Sequence, residues 1–318
     1  MGFTGLQVYG MTLPVKPMSP IYQDQLPKGT DMGYQLKWDG VRSLAALSKG
    51  QVMLYSKNML TQNAAFPEIV AVLQNQFPDN SLLLDGELVM FDTVLQRPDF
   101  KRIQQRVRSK RIVSTESQYP NHQPIYVVFD ILYENGYDWS NQPFEARHHR
   151  LGELLPEKLP QLFVTDLFLD GDLLWNWVEE HQWEGVVSKR LTSRYHEGKK
   201  HQDWWKRKTS INLEVDIYGI TIREGRVASM VMVYDGAYFG RVSLGLNGVD
   251  KGRLMDYATS HPAALAPFTS LPEDLKKEQV LWLSQPLRCE VTGLEITHQG
   301  VLRHPKISHK PKLLLERK

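Results

Sequence analysis

Strand-like runs recur along the first two-thirds of the chain, and they constrain its fold more than any other feature. Apolar and β-branched residues are concentrated at 34–38, 52–56, 82–91, 126–133, 162–169, 184–190 and 203–209. Helix-like stretches lie between these runs at 67–77, 144–155 and 172–182. The dominance of strands, with helices intervening, predicts an α+β fold.

The pattern changes after Lys208. Short strand-like runs punctuated by glycine follow, with a polar helical region before the last one: 213–222, 227–233, 241–246 and 287–296. Several short strands predict a small barrel, although periodicity does not distinguish one small-barrel fold from another. The change predicts a boundary near Thr209–Asn212 and domains at 1–210 and 211–318. A chain of 318 residues with 42% hydrophobic residues is long enough for two such cores.

Net charge alone does not indicate a nucleic-acid-binding protein, because the chain carries only +2 at pH 7. The distribution of charge is more informative. Residues 101–111 include six lysines and arginines and no acidic residue, and residues 298–318 include six against the single Glu316. Such patches suit a phosphate backbone, but either patch alone is equally well interpreted as solvated surface.

The first basic patch has the spacing of an amphipathic helix. Phe100, Ile103 and Val107 would share one face of that helix. The basic residues would then lie on another face, where we expect them to contact nucleic acid: Lys101, Arg102, Arg106 and Arg108.

Cysteine usage and hydropathy limit the class of protein. Cys289 is the only cysteine, which excludes an intramolecular disulfide and a cysteine-rich zinc site. The first twenty residues lack a basic start followed by an apolar core, and no apolar run elsewhere has the length of a membrane span. These features predict a soluble, cytoplasmic protein.

One lysine stands out by its surroundings. Lys37 begins the hexapeptide Lys-Trp-Asp-Gly-Val-Arg, in which Asp39 and Gly40 favour a tight turn between two strands. A lysine beside a carboxylate and an arginine suits covalent catalysis, provided that its amine is free. An ordinary lysine has a pKa of about 10.4, so nearby positive charge would be needed to favour deprotonation. Taken alone, the hexapeptide is more typical of a surface hairpin.

Four further polar clusters follow in order, each within a strand-like run. They are Leu84–Leu88 (LDGEL), Val127–Ile131 (VVFDI), Glu184–Lys189 (EGVVSK) and Trp204–Lys208 (WWKRK). With the hexapeptide, this ordered set resembles the motifs of the covalent nucleotidyltransferases, the superfamily of ATP-dependent DNA ligases, RNA ligases and mRNA capping enzymes. The likeness covers nearly the whole chain from about Tyr34 and is strongest to compact bacterial and viral ATP-dependent DNA ligases.

The resemblance implies a nucleotidyltransferase (adenylation) domain with antiparallel sheets and flanking helices, followed by a C-terminal OB-fold β-barrel. It implies ATP as the cofactor, bound covalently as AMP, with Mg²⁺ or alternatively Mn²⁺ as the metal. It also implies that the partner is nicked duplex DNA and that a monomer clamps the duplex between its two domains.

The resemblance also implies roles for individual residues. Lys37 would be the nucleophile, and Asp39, Lys206 and Lys208 would complete the catalytic set. The residues expected to hold the nucleotide are Gln35, Leu36, Arg42, Glu87, Phe129, Glu184, Lys206 and Lys208. Glu87 and Glu184 are the expected metal ligands, and Ser56 and Lys57 the expected contacts to the nick phosphate. Taken singly, each has a structural alternative: Phe129 suits an apolar core and Glu87 an exposed position after a turn.

The sequence departs from the family pattern at three places. Gln35 stands where many relatives have a glutamate that accepts a bond from the adenine amino group, although its carbonyl keeps that capacity. Lys57 replaces a frequent arginine and loses the two-pronged phosphate contact. Near the C-terminus, residues 303–312 lack the aspartate of an Arg-x-Asp-Lys-like motif, so Lys310 or Lys312 would have to supply charge to the leaving pyrophosphate.

Three functional hypotheses follow. The first is an ATP-dependent DNA ligase that seals nicks between a 5′-phosphate and a 3′-hydroxyl through lysyl-AMP and a DNA-adenylate. The second is an RNA ligase or capping-type nucleotidyltransferase with the same lysine chemistry. The third is a nucleic-acid-binding protein that retains the scaffold without catalysis, and the intact Lys37, Glu87, Glu184, Lys206 and Lys208 argue against it.

Overall fold

The computed structural model describes residues 7–14, 16–108, 121–198, 200–297 and 299–315. Spatial contacts divide the chain into two compact units, Met1–Thr209 and Ser210–Lys318. Strands dominate both units and most of them pair antiparallel, as the α+β prediction requires.

The first unit contains a large twisted sheet, a smaller sheet and a two-stranded hairpin. Its strands are β1 Gln7–Val8, β2 Met11–Thr12, β3 Ser19–Tyr22, β4 Met32–Leu36, β5 Val41–Ser48, β6 Gln51–Ser56, β7 Leu82–Asp92, β8 Arg97–Pro98, β9 His122–Glu134, β10 Tyr137–Asp138, β11 Leu162–Val164, β12 Gly185–Arg190 and β13 Lys200–Lys208. Its helices are α1 Pro67–Gln76, α2 Phe100–Arg108, α3 Phe144–Leu154 and α4 Gly171–Glu180, with a 3₁₀ turn at Asn63–Ala65.

The large sheet has the strand order β10-β9-β7-β5-β6, with β8 paired to β7 and β11 paired in parallel to β9. Its long central strands are apolar on both faces, because α1 and α3 pack one side and the other side faces the rest of the unit. Continuous apolar runs such as Leu82–Leu84 and Val127–Val128 are the sequence signature of that two-sided burial.

The smaller sheet has the order β3-β13-β12-β4, with β3 and β13 parallel. Helix α4 covers one of its faces and buries Leu174, Trp175 and Val178, whose spacing is that of one helical face. Asp170 starts the helix, because its side chain accepts a hydrogen bond from the backbone N–H of Leu173.

The second unit is a five-stranded antiparallel sheet of order β16-β15-β14-β17-β20, accompanied by a small hairpin of β18 and β19. Its strands are β14 Ile211–Arg223, β15 Arg226–Tyr234, β16 Ala237–Val242, β17 Gln279–Gly293, β18 Glu295–Ile296, β19 Leu302–Arg303 and β20 Lys306–His309. Its helices are α5 Gly248–Ser260 and α6 Lys312–Leu315, with a 3₁₀ turn at Glu273–Leu275. Irregular pairing at Ile217/Gly219 bends β14 and lets the sheet curl around its own core.

The predicted helices at 67–77, 144–155 and 172–182 are confirmed to within two residues, and the amphipathic helix predicted from Phe100, Ile103 and Val107 is α2 Phe100–Arg108. Several strands differ from prediction. Strand β11 ends at Val164, because the chain leaves the sheet near Thr165. Strand β16 spans Ala237–Val242 rather than 241–246, and β17 begins at Gln279 rather than at Leu287. The turn in Asp39–Gly40 joins strands of two different sheets, so the tight hairpin expected there is wrong.

Candidate active site

The small sheet aligns four of the predicted site residues. Gln35 on β4 is paired with Val187 on β12, and Val187 is paired with Lys206 on β13. At the end of the same strands, the backbone N–H of Lys37 donates to Gly185 O, and Gly185 is paired with Lys208. Residues far apart in sequence therefore form two adjacent rows across one face of the sheet.

Two glycines allow the backbone to approach this closely. A Cβ on Gly185 would lie 2.0 Å from Arg207 O, and a Cβ on Gly40 would lie 2.1 Å from Leu88 O. At Gly40 the chain passes from the small sheet to the large one, and only glycine fits against β7 there. The crossing places Lys37 between the two sheets rather than at the tip of a hairpin.

A cavity of about 190 Å³ lies at this junction. Predicted site residues make up much of its wall: Gln35, Leu36, Lys37, Arg42, Lys57, Glu87, Phe129 and Lys206. The remaining lining residues are Ser19, Pro20, Trp38, Val187, Lys189 and Trp204. A cavity in which a few polar and charged groups converge beside aromatic side chains is a common form of small-molecule site.

The Glu184 carboxylate forms ion pairs with two lysines, Lys37 and Lys208. Lys37 Nζ donates to Glu184 Oε2 at 2.7 Å, and Lys208 Nζ lies 2.9 Å from Glu184 Oε1. Burial, together with the positive charges of Lys37 and Lys208, lowers the pKa of Lys206 to about 8. The lowered pKa of Lys206 reflects burial first and the neighbouring lysines second, and the charge of Glu184 offsets part of both.

Glu87 adds little negative charge at neutral pH. Burial raises the pKa of its carboxyl to about 8, and the neighbouring Lys37 and Arg42 offset only part of that effect. The charges of Glu184 and Asp39 act in the same direction as burial. Glu87 is therefore largely protonated in the absence of a bound cation, and the cluster has a positive surplus.

Three further lining residues, Arg42, Phe129 and Lys189, belong to a set of paired charges and aromatic rings. We call this set the floor: Arg42, Asp85, Phe129, Asp130, Arg147, Lys189 and Tyr195. Arg42 forms a bidentate ion pair with Asp85, with Nε–Oδ1 and Nη2–Oδ2 distances of 2.6 and 2.5 Å. Tyr195 donates to the same carboxylate at 2.6 Å. The Arg42 guanidinium also lies 4.7 Å from the centroid of the Phe129 ring.

Beneath Phe129 lies a second buried pair and a buried lysine. Arg147 and Asp130 are fully buried and joined by two bonds of 2.6 and 2.9 Å. Lys189 Nζ is 4.7 Å from the centroid of the Phe129 ring and 4.2 Å from that of Trp204, and it donates to Phe129 O. Burial lowers the pKa of Lys189 to about 7.

The floor includes residues that the sequence analysis did not select. Asp85 and Lys189 lie within the clusters LDGEL and EGVVSK, so a signal was present, but only the glutamates of those clusters were chosen. Arg147 and Tyr195 have no such signal, because they come from α3 and from a loop outside every cluster.

Ser56 is the last residue of β6, and Lys57 begins the tight loop that follows it. Ser56 fixes the loop, since its Oγ accepts from Leu60 N–H and its backbone bonds to Leu60 and Met59. Lys57 reaches the cavity wall from this loop. Asp39 lies two residues beyond Lys37, and its charge acts on Glu87.

The basic residues of α2 differ in their exposure and in their contacts. Lys101 and Arg108 are exposed and Arg102 is half-buried. Arg106 instead binds Glu68 through Nη2 at 2.7 and 2.6 Å and donates to Ala65 O. Arg106 is thus engaged in holding α2 to the fold. Lys110 and Arg111, the rest of the predicted patch, lie outside the described residues.

In the second unit, Lys310 forms an ion pair with Asp250 of the same unit. Its Nζ lies 2.7 Å from Asp250 Oδ2, and Asp250 is buried at the capping box that starts α5. Lys312 begins α6 and is exposed. Of the C-terminal basic run, His298 and residues 316–318 lie outside the described residues.

Within the described ranges, no cluster of three or more histidine, cysteine, aspartate or glutamate residues has the geometry to hold a metal ion. No helix in those ranges is long and apolar enough to cross a membrane.

A sequence model of the ATP dependent DNA ligase domain matches residues 15–208, which include every cavity-lining residue. The chain belongs to this family. The matched segment coincides closely with the first unit, so the ligase-domain likeness is concentrated where the lysine cluster lies.

Relatives and solved structures support the assignment to the ligase family. The bifunctional non-homologous end joining protein LigD of Bacillus subtilis is 27% identical over 93% of this chain and 52% of that protein. The ligase domain of Mycobacterium tuberculosis LigD has a TM-score of 0.55, with 27% identity over 93% of this chain and 94% of that structure. A mycobacterial DNA ligase D structure with ATP has a TM-score of 0.54, with 27% identity, covering 94% of this chain and 95% of that one. The chain spans between a third and about half of the full-length LigD proteins that it matches.

Proposed function

We propose that this protein is an ATP-dependent DNA ligase that seals nicks in duplex DNA through a lysyl-AMP intermediate. The observation that carries the proposal is the cluster of Lys37, Lys206 and Lys208 around Glu184, at the wall of a cavity lined by Phe129. Surplus positive charge beside an aromatic ring suits a nucleotide, whose phosphates are anionic and whose base stacks. A structure of a related ligase D contains ATP.

In the first step, Lys37 Nζ attacks the α-phosphorus of ATP. The new P–N bond forms as the bond to the pyrophosphate oxygen breaks, and the amine loses a proton. Lys206 and Lys208 neutralise the charge on the α-phosphate, which is the main contribution that a protein makes to phosphoryl transfer. Glu184 orients the Lys37 amine through the 2.7 Å bond.

The remaining nucleotide contacts come from the cavity wall and the floor. Phe129 stacks on adenine through one face of its ring, and the Arg42 guanidinium lies over the same ring, 4.7 Å from its centroid. Gln35 and Leu36 contact the base, and Glu87 contacts the ribose. Asp39 acts after AMP has been attached.

Magnesium suits the site because Glu184 and Glu87 offer oxygen atoms beside the place of the phosphates. Mg²⁺ commonly binds through one or two carboxylates together with substrate phosphates, so a larger acidic cluster is unnecessary. A bound cation would favour ionisation of the Glu87 carboxyl, whose pKa burial has raised to about 8. When bound, Mg²⁺, or Mn²⁺ in its place, would neutralise the phosphate charge.

Two further transfers complete sealing. An oxygen of the DNA 5′-phosphate attacks the AMP phosphorus, and the P–N bond to Lys37 breaks as the lysine regains a proton. The 3′-hydroxyl then attacks the activated 5′-phosphorus and expels AMP. Ser56 and Lys57 contact the nick phosphate. The exposed Lys101 and Arg108 of α2 and the half-buried Arg102 contact the flanking backbone.

For the second unit we propose an OB-fold, on the basis of its five curled antiparallel strands, and for the first unit an adenylation fold. As a monomer, the protein would enclose the duplex with both units. The bond between Lys310 and Asp250 favours a structural role for Lys310, and it leaves Lys312 as the proposed cation for pyrophosphate.

The proposal is tested by incubating the purified protein with Mg²⁺ and α-labelled ATP or GTP, and then with nicked DNA or nicked RNA. We expect label from ATP to attach to the protein and to leave as nicked DNA is sealed. Lys37→Ala should abolish both reactions, whereas Lys28→Ala, which changes an exposed lysine in an ion pair with Asp172, should retain both. Label from GTP, or discharge on RNA alone, would contradict the DNA-ligase proposal.

A further inference from the structure

Tyr195 lies in the loop between β12 and β13, outside the set of residues proposed to bind ATP. The residue is only 4% exposed, and its ring meets that of the cavity-lining Trp204 edge-on at 5.7 Å. Its hydroxyl accepts from the backbone N–H of Met18 at 3.1 Å and donates to Asp85 Oδ2 at 2.6 Å. One buried hydroxyl therefore joins the segment before β3 to the floor.

The same segment is held at a second point by Arg42. Arg42 Nη2 donates to Met18 O at 3.0 Å, and the guanidinium also pairs with Asp85. Both backbone polar groups of Met18 are therefore bonded to this network, the N–H through Tyr195 and the C=O through Arg42. The next two residues of the chain, at positions 19 and 20, line the cavity, so the network fixes part of the cavity wall.

The loop that carries Tyr195 holds this segment at further points. Gly198 N–H donates to Lys16 O at 2.6 Å, and the backbone N–H of His196 lies 3.2 Å from Met18 Sδ. Burial, followed by the negative charge of Asp85, raises the pKa of Tyr195 well above its ordinary value. The hydroxyl therefore keeps its proton at neutral pH and remains a donor to Asp85.

Arg42 is the member of the network that lies nearest to the proposed place of the base. It lines the cavity, and its guanidinium is 4.7 Å from the centroid of the Phe129 ring. A bidentate pair orients an arginine only when its carboxylate is fixed, and Asp85 Oδ2 is fixed by the Tyr195 hydroxyl as well as by Arg42. Loss of the hydroxyl would loosen Asp85 and release the Met18 N–H. Arg42 and the cavity wall would both be less well ordered before nucleotide binds.

We propose that Tyr195 is a positioning residue for nucleotide binding, whose hydroxyl holds Arg42, through Asp85, and the Met18 backbone in the arrangement that receives ATP. This inference rests on the proposed function and goes beyond it, because it gives a role in that site to a side chain that is not among the cavity-lining residues. A wall ordered in advance loses less freedom when the ligand binds. Lys37 is oriented by Glu184 instead, so the phosphoryl transfer should depend little on Tyr195.

The test is Tyr195→Phe, which removes the hydroxyl and keeps the ring. Self-labelling with α-labelled ATP and Mg²⁺ is measured over a range of ATP concentrations. We expect the ATP concentration for the half-maximal rate to rise about threefold to tenfold, the usual effect of losing one hydrogen bond, and the rate at saturating ATP to stay within about twofold of the parent. A role in the fold alone would not separate the two quantities in this way.

Tyr126→Phe is the matched control. Tyr126 is fully buried, and its hydroxyl donates to Ser43 O at 2.9 Å, but neither residue is among those that line the cavity. Both variants should lose stability in denaturant unfolding, because each leaves a buried backbone group without its partner. Only Tyr195→Phe should need more ATP. An equal rise in the two variants, or a Tyr195→Phe protein that loses only the saturating rate, would overturn the inference.

A second measurement does not depend on whether Tyr195→Phe folds. If the bond to the Met18 N–H favours ATP binding, bound ATP must favour that bond to the same extent. In Lys37→Ala, where no covalent step follows, saturating ATP with Mg²⁺ should therefore slow hydrogen exchange at the Met18 amide by about threefold to tenfold. Amides of the second unit are the control for a general gain in stability. Exchange at Met18 that is unchanged by bound ATP would contradict the proposal.

The two levels of proposal fail in different ways. If ATP labels the protein and Tyr195→Phe has the same ATP dependence as the parent, the proposed function stands and the positioning role is wrong. Failure of the proposed function is the absence of label from ATP in the parent protein, when that protein is shown to carry no AMP.

Discussion

The lysine cluster and the two arginines of the floor differ in how their positive charge is balanced. At the floor, Arg42 is matched by Asp85 and Arg147 by Asp130, each through two short bonds. At the cluster, Lys37 and Lys208 share Glu184, and the pKa of Lys206 is lowered to about 8 by burial and by its lysine neighbours. The difference indicates that the floor is built for stability and the cluster for an anion that arrives with the substrate.

The largest expected effect is on the floor. Asp130→Asn would leave Arg147 buried without its counter-charge, and breaking such a pair costs about 3–5 kcal/mol of folding free energy. Denaturant unfolding monitored by tryptophan fluorescence measures this loss. Asp172→Asn is the control, because its ion pair with Lys28 is exposed and should contribute little. Equal stability of the two variants would remove the distinction between floor and surface.

At the lysine cluster we expect a loss of rate with little loss of stability. Glu184→Gln keeps the size of the side chain but removes the carboxylate that orients Lys37 and balances Lys208. Self-labelling with ATP should slow by about 100-fold, the usual effect of removing one electrostatic contact from an active site. Glu180→Gln, on the exposed face of α4, should label normally. A Glu184→Gln protein that labels at the normal rate but unfolds readily would reverse the comparison.

Helix α2 also carries two kinds of basic residue. Arg106 is bound within the protein, whereas Lys101, Arg102 and Arg108 are the proposed contacts to DNA. Replacing Lys101, Arg102 and Arg108 together with glutamine should weaken binding of nicked DNA and reduce the salt dependence of log K by about 2–3, or about 0.9 for each lost phosphate contact. Arg106→Gln is the matched change on the same helix. It should lower the free energy of unfolding, because Arg106 binds Glu68 and Ala65 O, and leave the salt dependence unchanged. Binding measured across a salt series distinguishes the two results.

A further expected effect concerns the dependence of stability on pH. The folded protein holds a proton on Glu87 up to about pH 8, whereas an unfolded glutamate with a pKa of 4.5 loses it much earlier. Between pH 4.5 and about pH 8 the native state therefore binds more protons than the unfolded state. As pH rises through this range, the contribution of Glu87 to the free energy of unfolding falls. Glu87→Gln should remove this part of the decline. Denaturant midpoints at pH 5 and pH 8 test the sign, and a variant with the same decline as the parent would contradict it.

Sequence reasoning located the lysine cluster better than the floor. Lys37, Glu184, Lys206 and Lys208 lie in motifs that are compact in sequence, so their types and order indicated a shared site. The partners at the floor come from separate elements: Arg147 is on α3 and Tyr195 lies in a loop, and only the fold brings them to Asp130 and Asp85. Local pattern does not encode such pairing.

The same limit explains the error at Asp39–Gly40. The residues are those of a hairpin turn, yet the flanking strands pair with β12 and β7 in separate sheets. Pairing partners depend on long-range packing, and the close approach of Gly40 to Leu88 O is visible only in the folded chain. The helices were placed more accurately, because a helical face is determined by spacing within one segment.

The most direct test of the central claim is to locate the AMP adduct. The protein is shown to be free of AMP, incubated with ATP and Mg²⁺, digested, and analysed by mass spectrometry for adenylylated peptides. The account predicts AMP on Lys37 alone, with Lys57, Lys206 and Lys208 unmodified. An adduct on one of those lysines instead, or none at all, would contradict the claim that the surplus charge of this cluster serves nucleotide transfer to Lys37.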